Sequence, residues 1–176
     1  MRAGHAPLAA VLPLLAALAV IAGVLFLQHA EGLRPCELCL AERWPWYGAV
    51  LVSGAMWLWS ARVRRARSRL RAEGWGTALL TVLFLGSAGL ASYHVAVEQH
   101  WVAGPGACTG SPLSGKSPAE ALRALMATPV VRCDEVQWRW LGVSLAGWNA
   151  VLSLGLALFT AYAGWTSYLE ARHGLD

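Results

Sequence analysis

Charge is what this chain has least of. Asp, Glu, Lys and Arg make up 14% of its 176 residues, where an ordinary soluble domain carries roughly 25%. Hydrophobic residues make up 57% and the mean hydropathy is +0.47. The few charges are also kept out of four apolar blocks, residues 8–27, 44–61, 75–97 and 141–165. Each block is about 18–25 residues long, enough at a helical rise of 1.5 Å to span a hydrocarbon core of roughly 30 Å. Lipid offers no partner to an unpaired backbone group, so such blocks are expected as helices rather than strands. A set of buried hairpins in a soluble protein does not account for runs this long. A cleavable leader is not indicated either: the first run is longer than a secretory h-region and "LQHAEG" lacks a small-x-small cleavage signal, so it is read as a retained span. Pro13 is taken to stand in the first turn of that span, where a missing N–H costs little.

The sparse charges fix an expected orientation. The connection "SARVRRARSRLRAEGWG" holds Arg62, Arg64, Arg65, Arg67, Arg69 and Arg71, and the two ends add Arg2 and Arg172. Against these eight stand three acids, whereas the other two connections hold six basic and seven acidic residues. Positive residues stay cytoplasmic, so both termini and residues 62–74 are expected inside, with residues 28–43 and 98–140 outside. An arginine cluster can also bind nucleic acid, but between two spans its topogenic role is preferred and no nucleic acid is expected. Trp44, Trp46, Trp57, Trp59, Trp75, Trp138, Trp140 and Trp165 fall near block ends, as interfacial rings do, while Trp148 is assigned to packing deeper in its span.

Cysteine is scarce too, and none is spent inside a block. Cys36, Cys39, Cys108 and Cys133 all fall on the expected outer side, a compartment that permits disulfides. Four cysteines allow three pairings. A structural zinc site is not indicated, because the second pair is far from a tight knuckle and no His stands at the usual ligand spacing; no metal is expected.

What is present points to thiol chemistry. "RPCELCLAERWPW" places a Cys-x-x-Cys at the amino end of the second span, where the helix dipole favours a thiolate. Arg43 follows Cys39 by one helical turn and can stabilise a thiolate or a bound anion. A two-residue ring adds little as a brace, whereas a long Cys108–Cys133 ring could be a staple. "GPGACTGSPLSGKSPAE" sets Cys108 in a Gly/Pro/Ser-rich segment, and Ser117-Pro118-Ala119-Glu120 reads as a capping box opening a short surface helix with Ala121, Leu122, Leu125 and Met126 on one face. Asp134 and Glu135 are expected to raise the pKa of a Cys133 thiol.

On "PCELCLAER", the basic connection, "YHVAVEQHWVAGPGAC" and "CDEVQWRWLGVSLAGWN", the chain resembles the bacterial DsbB family over nearly its whole length. That resemblance implies an all-α, four-helix integral membrane bundle in the inner membrane, with the short surface helix in its second periplasmic loop. It implies a thiol oxidase that reoxidises a periplasmic DsbA-like dithiol protein and passes the electrons to the membrane quinone pool, ubiquinone or menaquinone. By resemblance, Cys36–Cys39 is the inner disulfide and Cys108–Cys133 the outer one. The partner would attack Cys108, Cys36 and Cys133 would join transiently, and Cys39 would be freed as a thiolate beside the quinone. Arg43 matches a quinone-side arginine, while His94 stands about a residue from a family histidine and is a weaker quinone-side candidate; His100, Glu98 and Gln99 are read as interfacial polar residues. The alternatives are a quinone reductase of the vitamin-K-epoxide-reductase type, in which the active pair falls late in the chain, and a non-enzymatic membrane protein braced by disulfides.

Overall fold

A computed structural model describes residues 5–63, 66–105, 117–120 and 131–173. Their order is α1 (His5–His29), α2 (Glu37–Ala41), α3 (Arg43–Arg62), α4 (Ala66–Glu98), β1 (Arg139–Trp140), β2 (Val143–Ser144) and α5 (Leu145–His173). Among the described residues, three stretches, Leu8–His29, Ser68–Glu98 and Leu145–Arg172, are long and apolar enough to cross a membrane, and the chain is an all-α membrane protein with a small hairpin among them. The 20 residues of α3 reach about 30 Å, but four Trp and a Tyr dilute its hydropathy with amphipathic rings.

The main seam joins α4 to α5, while α1 lies against α3 and α3 against α4. On α4, Thr77, Leu80, Phe84, Ser87, Ala91 and His94 are all buried. Their alternating spacing of three and four gives the 3.5-residue period that keeps one stripe facing a partner helix. Between helices in lipid there is no hydrophobic drive, so close backbone approach and polar bonds hold the seam. The Ser153 and Ser87 hydroxyls meet at 2.9 Å, and the Thr81 and Thr160 hydroxyls at 2.8 Å. At Gly164 an added Cβ would stand 2.7 Å from Thr77 Oγ1, so only glycine lets α5 come this close. Trp46, Ala49 and Met56 of α3 join Leu80 and Phe84 of α4, Leu156 of α5 and Ala10 and Ala17 of α1 in the central apolar cluster.

Three local expectations are corrected. α1 begins at His5, so Pro13 lies two turns inside the helix and fully buried, not in the first turn; packing against neighbouring helices tolerates the lost hydrogen bond. The fourth long helix begins at Leu145, because residues 139–144 form a hairpin instead, with Arg139 opposite Ser144 and Trp140 opposite Val143. Leu141 and Gly142 turn it with φ of 52° and 80°, the paired positive values of a type I′ turn. Trp148 is not deep packing: its Nε1 donates to the Trp140 carbonyl at 3.1 Å and its ring lies 5.2 Å from that of Trp140.

The capping box holds, with Ser117 N donating to Glu120 Oε2 at 3.1 Å and Glu120 N donating to Ser117 Oγ at 3.5 Å. Ala121, Leu122, Leu125 and Met126, and Cys108 with them, lie outside the described residues.

Candidate functional site

Cys36 and Cys39 start from a local turn. Cys36 is the N-cap of α2, with φ −77° and ψ 173°, and its Sγ accepts from Cys39 N at 3.2 Å. An N-cap normally offers a side-chain oxygen to this N–H; here sulfur fills the role. Both cysteines are free thiols, 2.8 Å apart, Cys36 buried and Cys39 half-buried. The sharing of one proton between two sulfurs splits their acidities. The Cys39 thiol donating to Cys36, and secondarily His94, hold Cys36 down at about 4 against the opposing effect of burial. Cys39 is pushed up, by that same bond to Cys36 and by burial. The sequence set the pair at the start of the second span; the structure sets it on the separate short helix α2, where hydrogen bonding lowers Cys36 and raises Cys39.

His94 reaches this pair from α4. Its Nε2 lies 3.8 Å from Cys36 Sγ, and its Nδ1 meets Glu42 Oε1 at 2.6 Å. The second oxygen of Glu42 accepts from Asn149 Nδ2 at 2.6 Å. Asn149 Oδ1 in turn accepts from Trp46 Nε1 at 2.9 Å and from Ser153 Oγ at 3.2 Å. A polar chain therefore runs from the thiols through His94 and Glu42 into the α3–α5 interior, and from Ser153 on to Ser87 of α4. Each link satisfies a group that lipid or apolar packing would otherwise leave unpaired.

Two neighbouring cavities open at this point. One, ≈ 80 Å³, is lined by Cys36, Cys39, Arg43, His94, Glu98 and Arg132 among others. The other, ≈ 190 Å³, is walled mainly by Val20, Ile21, Val24, Leu27, Trp46 and Leu152, with Cys39 and Arg43 shared between the two. Arg43 Nη1 donates to Gln28 Oε1 at 2.9 Å, which holds the guanidinium toward α1. Cys133 packs with Cys36, Leu38 and Val97 in one apolar cluster, with Cys39 against it. It is disulfide-bonded, and its partner is not among the described residues. Beside Cys133, Arg132 pairs with Asp134 through Nε at 2.9 Å and Nη2 at 2.5 Å, and reaches Glu135 at 3.4 Å.

Of the residues singled out in the sequence, Cys36, Cys39, Arg43, His94 and Cys133 come together, and Cys108 lies outside the described residues. Glu42, Asn149 and Gln28 were missed, and Glu98, read as interfacial, lines the smaller cavity from the end of α4. One signal existed: Asn149 is an amide within an apolar span, costly unless a partner awaits it.

The sequence model described as "Disulfide bond formation protein DsbB" matches residues 6–163. A Disulfide bond formation protein B from Xanthomonas euvesicatoria pv. vesicatoria is 29% identical over 163 residues, covering 90% of each chain. Proteins of the same name from Marinobacter nauticus and Xylella fastidiosa (strain Temecula1) are 32% identical over 80% of this chain and 82% of that protein, and 30% identical over 82% of both. No solved structure matches the chain. With the match running through the Cys-x-x-Cys turn, the α4 stripe and α5, the chain belongs to the DsbB family of disulfide bond formation proteins.

Proposed function

We propose that this disulfide oxidoreductase is a four-span thiol oxidase of the bacterial inner membrane, with both termini cytoplasmic and α3 as the fourth span. It takes electrons from a periplasmic DsbA-like dithiol and delivers them to a membrane quinone. The observation that carries this reading is the position of Cys39 and Arg43 where a cavity edged by charged side chains meets a more apolar one, with Cys133 packed beside Cys36. A dithiol from water and an oxidant from lipid can both be met there.

The lining fits a quinone. Val20, Ile21, Val24 and Leu152 suit an apolar ring and tail, and Arg43 is a donor for a ring carbonyl oxygen. A bound quinone supplies a two-electron, two-proton acceptor. The chain's own residues do the rest. Cys108 is proposed as the partner of Cys133, being the one cysteine left once Cys36 and Cys39 are free thiols. A partner thiolate attacks Cys108, breaks that bond and releases Cys133 as a thiolate. Cys133 then attacks Cys36 of an oxidised Cys36–Cys39 pair, which forms the Cys36–Cys133 bond and leaves the electron pair on Cys39. Thiol–disulfide exchange requires these sulfurs to reach one another in turn, and the shared Cys36–Cys133 cluster supports that reach. Arg43 stabilises the anion, and the His94–Glu42 pair gives protons a defined resting place.

The test mixes purified protein with a reduced DsbA-like dithiol and a soluble quinone, following quinone absorbance. Loss of absorbance in wild type and none in Cys39→Ser is expected. No change in wild type would overturn the reading.

A further inference from the structure

The fold brings together what the sequence kept 58 residues apart. Cys36 Sγ, Cys39 Sγ and His94 Nε2 lie within 4.8 Å of one another. Two thiolates and one imidazole are the donor set that selects Zn²⁺ over harder cations. Tetrahedral zinc, with Zn–S of about 2.3 Å and Zn–N of about 2.05 Å, sets sulfur and nitrogen about 3.6 Å apart. The Cys36 Sγ–His94 Nε2 distance is 3.8 Å. The same geometry sets the two sulfurs about 3.8 Å apart, so the 2.8 Å pair must open by about 1 Å. Cys39, half-buried and bordering both cavities, is the sulfur that would have to move.

Two further observations point to a metal rather than to a chance cluster. His94 Nδ1 faces the Glu42 carboxylate at 2.6 Å. With the Nδ1 proton held there, loss of the Nε2 proton that His94 gives to Cys36 would turn a lone pair to the sulfurs, the carboxylate–histidine arrangement that supports metal-bound imidazoles. Glu98, one helical turn beyond His94 on α4, lines the same cavity, and its Oε2 is buried with no hydrogen-bond partner among the described residues. It stands outside the group of three close donors, so to serve as a fourth ligand its side chain must swing across the cavity toward them.

We propose that the reduced site binds one Zn²⁺ through Cys36, Cys39 and His94, with Glu98 as fourth donor, and that the bound ion holds the dithiol reduced. Binding forms two Zn–S bonds, one Zn–N bond and one Zn–O bond, displaces water from the ion, and releases to water the one proton the two sulfurs share and the Nε2 proton of His94; no electron moves. The disulfide form has no thiolates to offer, so zinc and oxidation compete for the same sulfurs. The clause on inhibition rests on the proposed thiol oxidase activity; the clause on binding does not.

The experiment uses the full chain in detergent, with Cys108→Ser and Cys133→Ser so that only the inner pair can bind, and Co²⁺ as spectroscopic probe displaced by Zn²⁺. The reduced protein should take up one Co²⁺ with thiolate-to-metal charge-transfer and tetrahedral ligand-field bands; the oxidised protein should take up none. Glu42→Gln should weaken binding about 10–100-fold, and His94→Ala should shift the ligand-field bands as nitrogen is lost. Helicity by circular dichroism checks that each variant folds, and Glu98→Gln, at the cavity edge, gives a second test of the donor set. Absence of charge-transfer bands in the reduced protein, or spectra and affinity unchanged by both His94→Ala and Glu98→Gln, would overturn the site. In the protein with all four cysteines, zinc should slow quinone reduction reversibly, with chelator restoring it. Failure of zinc-free turnover would sink the oxidase reading and leave the binding result standing.

Discussion

Glu42 Oε1 stands 2.6 Å from His94 Nδ1, across 52 positions of sequence. Both residues are buried, so their bond ties the turn that carries the thiols to the long α4 helix. The same carboxylate also accepts from Asn149 of α5, which makes Glu42 a three-helix junction. Truncating it to alanine removes two charge-assisted bonds and leaves His94 and Asn149 without their acceptor. Hydrogen bonds to a charged group contribute about 1.5–3 kcal/mol. Glu42→Ala is expected to destabilise the fold by at least that amount, measured as the unfolding midpoint in detergent, while Glu42→Gln, which keeps the shape and one acceptor oxygen, loses less. An unchanged midpoint for Glu42→Ala would show that the junction is not a structural link.

The split acidity of the thiols makes a pH prediction. Cys36 is lowered to about 4 in the folded dithiol form, against about 8.5 for a free cysteine. Its thiolate is therefore expected to persist through mildly acidic pH, read as alkylation of Cys36 with a midpoint far below that of an ordinary thiol. The groups facing it are Cys39, His94 and, behind His94, Glu42. Because the bond from the Cys39 thiol is the largest cause, Cys39→Ala should raise the midpoint more than His94→Ala does. Stability follows the same sign. A pKa depressed on folding means that the unfolded chain binds more protons between the two values. The Cys36 contribution is then fully present above about 8.5 and is lost as pH falls toward about 4. Cys36→Ser should flatten that slope in the reduced protein. An alkylation midpoint near 8.5 would contradict the thiolate assignment.

Arg43 is held by Gln28 on the neighbouring helix, at 2.9 Å, and borders both cavities. A planar guanidinium can serve Gln28 and a ring carbonyl together, whereas a lysine ammonium is a point charge on a flexible stem. On the proposed function, Arg43→Ala is expected to raise the quinone KM about tenfold or more, a loss of about 1.4 kcal/mol. Arg43→Lys should recover part of this, and Gln28→Ala should raise KM less than either, since it frees the arginine without removing it. A change confined to the dithiol partner's KM would place Arg43 at the wrong substrate.

What the sequence disclosed and what it hid divide by range. Long helices were legible because hydropathy is a local property, and so was the thiol turn, because Cys36 caps and Cys39 stands within one short helix. The approach of His94 to Cys36 was not, since 58 residues intervene and one residue of drift on a helix turns a side chain by 100°. Glu42 was overlooked for a related reason. In "CLAER" it reads as one of two surface charges, and only the break between α2 and α3 turns it inward while Arg43 turns toward Gln28. Hairpin 139–144 escaped because its apolar residues continue an apolar run; positive φ at Leu141, rare for a branched side chain, gave no local warning.

Asn149 carries the last prediction. It donates to Glu42 and accepts from both Trp46 and Ser153, so each side of its amide is committed. Asn149→Leu keeps the volume but strands the Trp46 N–H and one Glu42 oxygen inside the helix packing. An unsatisfied buried polar group costs about 1–3 kcal/mol, and two are left here. Asn149→Asp differs in kind: it retains an acceptor for Trp46 but sets a second carboxylate against Glu42, and like charges sharing a site cannot both stay ionised. The aspartate variant should therefore lose stability as pH rises, as deprotonation forces the two charges together, while the leucine variant should lose stability with little added pH dependence. By contrast, Ser153→Ala removes one hydroxyl from the α4–α5 seam, where bonds of this class average about 0.6 kcal/mol. Unfolding midpoints of the three variants across pH test the ranking, and a leucine variant as stable as wild type would show that the Asn149 node is dispensable to the link between α3 and α5.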